Sequence, residues 1–152
     1  MVCRTLFLTA VLYLINECPL NGQCQTKSIV YQAEVTEKQT NTTKTYVGIT
    51  ENTFKSRYTA HNFSLNHRSK RHSTALSDHI WNLKDTNSEF DLKWSILAGP
   101  IDSYSTSTKQ CRLCMEEKFI ILENSRNPQN LNRRNELLST CRHRRKHLLI
   151  NQ

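Results

Sequence analysis

The chain has 152 residues, a formal net charge of +8 and a pI near 9.4, with 37% hydrophobic residues and a mean hydropathy of −0.62. That length accommodates one domain rather than two and can still bury a core. The wet surface and basic balance make a polyanion the expected partner.

From the N-terminus, Met1-Val2-Cys3-Arg4 precedes an apolar run, Thr5 to Ile15, with the charge and hydrophobicity of a signal peptide. The run is too short to span a bilayer comfortably. No small-x-small cleavage site follows, since the next residues are Asn16-Glu17-Cys18-Pro19. The expectation for residues 1–28 is an amphipathic or buried helix and a cysteine pair, or the arbitrary start of a piece of a longer polyprotein; secretion is the alternative. Sequons at Asn41 and Asn62 do not decide it, because chance supplies about that many in this composition.

Ile29 to Val35 alternates apolar and polar positions with Val, Ile and Tyr, and reads as a strand. A polar run, Thr36 to Lys44, separates it from a second short strand, Thr45 to Ile49. The two form an antiparallel hairpin that brings Tyr31 and Tyr46 near each other. Thr50 or Asn52 then caps a helix on which Arg57 and His61, four apart, share one face. Core packing does not require two tyrosines, an arginine and a histidine at one place. A phosphodiester substrate could use that set.

Arg68, Lys70 and Arg71, with His67 and His72, form a basic group. Ser73-Thr74 caps a helix carrying the stripe Leu76, Ile80, Leu83, beside which His79 and Trp81 read as packing residues. Asp91 to Leu97 alternates strictly, as a third strand does, and Gly99-Pro100 ends it. After a Ser/Thr-rich loop, Ser103 to Thr108, a helix is predicted from Lys109 to Asn124, with Leu113, Phe119, Ile120 and Leu122 as apolar cover. Pro128 separates it from Leu131-Asn132 and a last helix near Asn135 to Thr140. The fold class expected is α/β: a small three-stranded antiparallel sheet flanked by helices, over residues 29–140. The tail from 141 to 152 holds Arg142, Arg144, Arg145 and Lys146 without an acid; it reads as a solvated tail or, beside the constellation upstream, as a second surface for phosphates.

Six cysteines remain: Cys3, Cys18, Cys24, Cys111, Cys114 and Cys141. Cys111-x-x-Cys114 supplies half of a zinc site, and Cys18 and Cys24, around an Asn-Gly turn, could supply the other half, with Cys141 and His143 as substitutes. Disulfides and unpaired buried thiols stay open as alternatives.

The constellation resembles the GIY-YIG nuclease family. Ile29-Val30-Tyr31 matches its first motif, Tyr46-Val47-Gly48 its second and Arg57 its helix arginine, while Glu117 and Asn132 match a later carboxylate and asparagine. The resemblance covers roughly residues 29 to 137. In its cysteines before the first strand and its Cys-x-x-Cys ahead of Glu117, it is most similar to nuclease domains of Penelope-like and related animal retroelements. The first motif's glycine is Ile29 here, and the connection between the tyrosines is a few residues longer than usual. The resemblance implies a metal-dependent DNA endonuclease with the family's α/β sandwich, acting in the nucleus, with a reverse transcriptase domain in a longer parent protein. It implies Glu117 as a partly exposed magnesium ligand, Arg57 as a phosphate clamp, Tyr31 as general base with Tyr46 supporting it, His61 positioning tyrosine or phosphate, and Asn132 as a positioning hydrogen-bonder. Competing expectations are a catalytically silent nucleic-acid-binding module, a secreted disulfide-bonded basic protein, and an RNA-cleaving enzyme with the same site.

Overall fold

The computed structural model describes residues 18–102, 111–133, 141 and 143. The apolar run at the N-terminus, the 103–108 loop, the last helix near 135–140 and tail residues Arg142, Arg144, Arg145 and Lys146 lie outside the described residues.

Three antiparallel strands form one sheet in the order β2-β1-β3, with β1 at Ile29–Glu37, β2 at Thr42–Thr50 and β3 at Phe90–Ala98. The hairpin strands run longer than the apolar alternation alone predicts. β-Branched Thr36, Thr42 and Thr43 extend the ladder into the polar run, and the Thr36 and Thr43 hydroxyls meet at 2.9 Å. Asn41 closes the turn at φ 51°, a left-handed conformation that asparagine tolerates.

Alternation sorts the sheet into two faces. Ile29, Tyr31, Ala33 and Val35 point to one, together with Tyr46 and Trp94, and meet α1 (Phe54–Asn66) and α2 (Ala75–Asp85). Val30 and Val47 point to the other and meet α3 (Arg112–Glu123) through Leu113, Cys114 and Ile121. The result is an α/β layered fold with the small sheet flanked by helices on both faces.

The caps explain where the helices start. Thr53, not Thr50 or Asn52, caps α1, its hydroxyl accepting from the Ser56 amide at 3.3 Å, while the Thr50 hydroxyl donates to the Asn52 carbonyl. Thr74 caps α2, with Ser77 returning a bond to the Thr74 amide at 3.0 Å. Leu76 and Ile80 expose none of their surface and Leu83 little, so the stripe is core, each full burial contributing about 1.5–3 kcal/mol. On α3 the apolar cover differs from expectation. Phe119 and Leu122 are 57% and 56% exposed, and the inward side carries Leu113, Cys114, Glu117 and Ile121.

The outer edge of β2 is covered. Thr45 bonds to the Gln129 carbonyl and receives the Leu131 amide, and the Asn132 side chain continues the pairing at Val47. This spares an edge strand from presenting unpaired backbone groups there.

Candidate active site and metal centre

Tyr31 and Gly48 are direct cross-strand partners, and Tyr46 lies two pairs further along on the same face, opposite Ala33. The Tyr31 ring crosses the bare face of Gly48. A Cβ there would stand 2.6 Å from the tyrosine oxygen, so the glycine of Tyr46-Val47-Gly48 is what lets the ring lie flat over β2. Phe54, His61 and Trp94 surround that ring at centroid distances of 5.3, 5.7 and 5.8 Å. The hairpin thus holds Tyr31 in a single orientation, wholly buried.

Its hydroxyl is placed between two groups from α1. Arg57 Nε donates to it at 2.8 Å, and His61 Nε2 stands 2.7 Å away. Burial pushes the His61 imidazole down to about 3, with the Arg57 charge adding to the effect, so the ring is neutral at neutral pH. The Tyr31 hydroxyl and His61 Nε2 share one hydrogen bond, whose donor is set by the tautomer of the imidazole. Burial opposes charge on Arg57 too, but Tyr31 and then Tyr46 outweigh it by charge and hydrogen bonding, and the guanidinium is held above its ordinary value. Four of the sequence-predicted residues, Tyr31, Tyr46, Arg57 and His61, therefore form one connected group.

Arg57 also lines a cavity of about 280 Å³ with Ile49, Thr50, Asn52, Ser56, Ala60 and His143. Ile49 and Thr50 point to opposite faces of the sheet, so the cavity sits at the end of β2 where both layers meet.

Glu117 is on the other face from Tyr31, inside α3 between Leu113 and Ile121, each four residues away. It is 4% exposed rather than partly exposed, and is the only buried Asp or Glu among the described residues. Sequence spacing alone suits a surface glutamate paired with a neighbouring cation; burial shows a carboxylate held inside. Cys114, one turn earlier on the same side, approaches His143, which lines the cavity with Arg57. Asn132 accepts from the Val47 amide and donates to the Val47 carbonyl, both at 2.8 Å, mimicking a strand partner at the second motif.

The cysteines sort differently from the expected set. Cys18 and Cys24 form a disulfide with each other and so cannot be thiolate ligands. Their place beside Cys111 and Cys114 is taken by Cys141 and His143. The four donor atoms lie within 4.8 Å of one another, making a buried Cys3His cluster able to hold a metal ion such as zinc. The sequence offered both candidate pairs, and only closure of the chain chose between them.

Of the central basic group, Arg71 is committed to the protein itself. It pairs with Asp78 at 3.4 Å and Asp85 at 2.6 Å and bonds to the Asn82 side chain, fastening a 3-10 turn (Arg68–Ser73) onto α2. Arg68 pairs with Asp85 at 3.0 Å, whereas Lys70 is exposed. Asp78 pairs with Arg71 and Arg133 and lies 3.0 Å from His72 Nδ1, a hub that the sequence did not single out. Compared with family models, curated proteins and solved structures, the chain matches none.

Proposed function

We propose that this chain is a metal-dependent DNA endonuclease domain of the GIY-YIG type and of retroelement origin. The observation that supports it best is the Tyr31 hydroxyl, held between the Arg57 guanidinium and a neutral His61 beside an Arg57-lined cavity. In this reading Arg57 binds a phosphoryl oxygen through its planar fork and stabilises the charge that develops there. Tyr31, as the phenolate to which Arg57 Nε donates at 2.8 Å, takes the proton of the attacking water, with His61 Nε2 at 2.7 Å orienting its oxygen. Tyr46, hydrogen-bonded to Arg57, keeps the guanidinium aimed, and Asn132 fixes the backbone on which Tyr46 sits. Glu117, matched to the family's carboxylate by the resemblance and buried in α3, would be the one protein ligand of a magnesium ion, which commonly takes one or two carboxylates and keeps water and substrate oxygens for its other positions. When bound, the ion would supply Lewis-acid stabilisation at the scissile phosphate.

A second reading is favoured by one observation. Tyr31 exposes none of its surface, and a base out of reach of water would leave a nucleic-acid-binding module without turnover.

Purified protein incubated with supercoiled plasmid, with and without magnesium and a chelator, separates the two. Nicked or linear product that requires magnesium and disappears in Glu117→Gln supports the nuclease. Glutamine keeps the side chain's volume and one hydrogen-bonding oxygen, and the variant is expected to fold and to bind plasmid, which a melting curve and a binding assay check. Cleavage unchanged in that variant removes Glu117 from the mechanism, and wild-type binding with no cleavage establishes the silent module. Cleavage of RNA alone would redirect the reading to an RNA-cleaving enzyme.

A further inference from the structure

Cys111 and Cys114 open α3, while Cys141 and His143 arrive from near the other end of the chain. His143 Nδ1 stands 3.0 Å from the Cys111 sulfur and 3.4 Å from the sulfurs of Cys114 and Cys141, and the latter two are 3.7 Å apart. Tetrahedral zinc, with sulfur at about 2.3 Å and nitrogen at about 2.0 Å, requires edges of about 3.8 Å between sulfurs and about 3.5 Å from sulfur to nitrogen. The cluster is near those dimensions already. A disulfide needs about 2.05 Å, well short of the 3.7 Å separating Cys114 and Cys141. All three cysteines expose 2% or less. Cys111 caps α3, its sulfur accepting from the Cys114 amide at 3.5 Å. Three soft sulfurs and one imidazole select zinc over a hard cation such as magnesium.

We propose that Cys111, Cys114, Cys141 and His143 bind one zinc ion, and that the ion seats His143 in the wall of the Arg57 cavity. A metal-bound imidazole is neutral and keeps its proton on the other nitrogen. With Nδ1 on the metal, His143 offers Nε2–H as a second donor beside Arg57 for an anionic oxygen. The zinc joins the end of the chain to the helix that carries Glu117 and closes the cavity from the α3 side. The metal half stands on the cluster alone; the cavity half rests on the nuclease reading.

The test uses the full chain purified under reducing conditions. Elemental analysis should return about one zinc per chain. Cobalt substitution should give the intense visible bands and sulfur-to-metal charge transfer of a tetrahedral thiolate site. The double variant Cys18→Ser/Cys24→Ser should keep full stoichiometry, and Cys141→Ser should lose at least tenfold, roughly, in metal affinity. His143→Cys should retain the metal with an altered cobalt spectrum, yet bind a duplex oligonucleotide about tenfold more weakly. Metal-free wild type, or zinc lost from the Cys18/Cys24 variant and kept by Cys141→Ser, overturns the ligand assignment. His143→Cys binding duplex as tightly as wild type overturns the cavity half. Zinc-loaded wild type that binds no duplex overturns the nuclease reading and the cavity half together, and leaves the metal site established.

Discussion

His61 is a titratable ring kept neutral by burial, and that has a consequence for stability. Its value in the folded protein is about 3 against an ordinary 6.5. Between those values the unfolded chain binds the proton and the folded one does not, so folding loses stability as pH falls through that window. Each unit is worth about 1.4 kcal/mol, which makes the loss of order a few kcal/mol. Melting curves of wild type and His61→Gln, taken from pH 7 to about pH 4, should show the wild type losing more. Glutamine preserves an acceptor for the Tyr31 hydroxyl and removes the titration. Parallel curves would mean that burial does not keep His61 neutral in the fold.

At the scale of elements, the second motif depends on a segment far along the chain. Thr45 to Val47 of β2 is held by backbone bonds to Gln129 and Leu131 and by both ends of the Asn132 amide. Asn132→Asp tests this with little change of shape. The carboxylate can still accept from the Val47 amide, but its other oxygen faces the Val47 carbonyl with no proton to donate. A cost of about 1–3 kcal/mol in stability is expected, together with faster hydrogen exchange at the outer edge of β2. If exchange along β2 stays as in wild type, the edge does not need Asn132. The same segment is linked to α2 through Arg133 and Asp78, 2.8 Å apart, so its docking is tied to the helix layer on the Tyr31 face.

Over the whole molecule, a net charge of +8 does not translate into equal availability of every cation. Arg71 has 23% side-chain exposure and carboxylates on two turns of α2, whereas neighbouring Lys70 is exposed. Their roles in binding a polyanion should separate. Lys70→Ala is expected to flatten the log–log salt dependence of duplex binding by about one unit and leave the melt unchanged. Arg71→Ala should lower the melting temperature, because it removes a cation that Asp78 and Asp85 share and unfastens the 3-10 turn, with a smaller change in salt slope. Equal slopes for both variants would show that Arg71 leaves its carboxylates to meet phosphate. The tail cations Arg144, Arg145 and Lys146 are best probed by neutralisation, since truncation after Cys141 would also delete His143 from the metal cluster.

The sequence by itself determined the three strands, the capped Leu76–Ile80–Leu83 helix, and the meeting of Tyr31 and Tyr46 with Arg57 and His61. Those follow from local rules: a period of two that sorts strand faces, a period near 3.6 that aligns residues four apart, and a hairpin that leaves few registers. The tertiary structure alone decided that Glu117 lies inside rather than at the surface, and that Phe119 and Leu122 turn outward. A helix with apolar residues on several sides does not announce which side the sheet will cover. It also decided that Cys18 joins Cys24 while Cys141 and His143 join Cys111 and Cys114. Ligand identity is a matter of which distant segments meet. Spacing constrains partners a few residues apart and is silent on segments nearly thirty residues apart, brought together only when both faces of the sheet are covered.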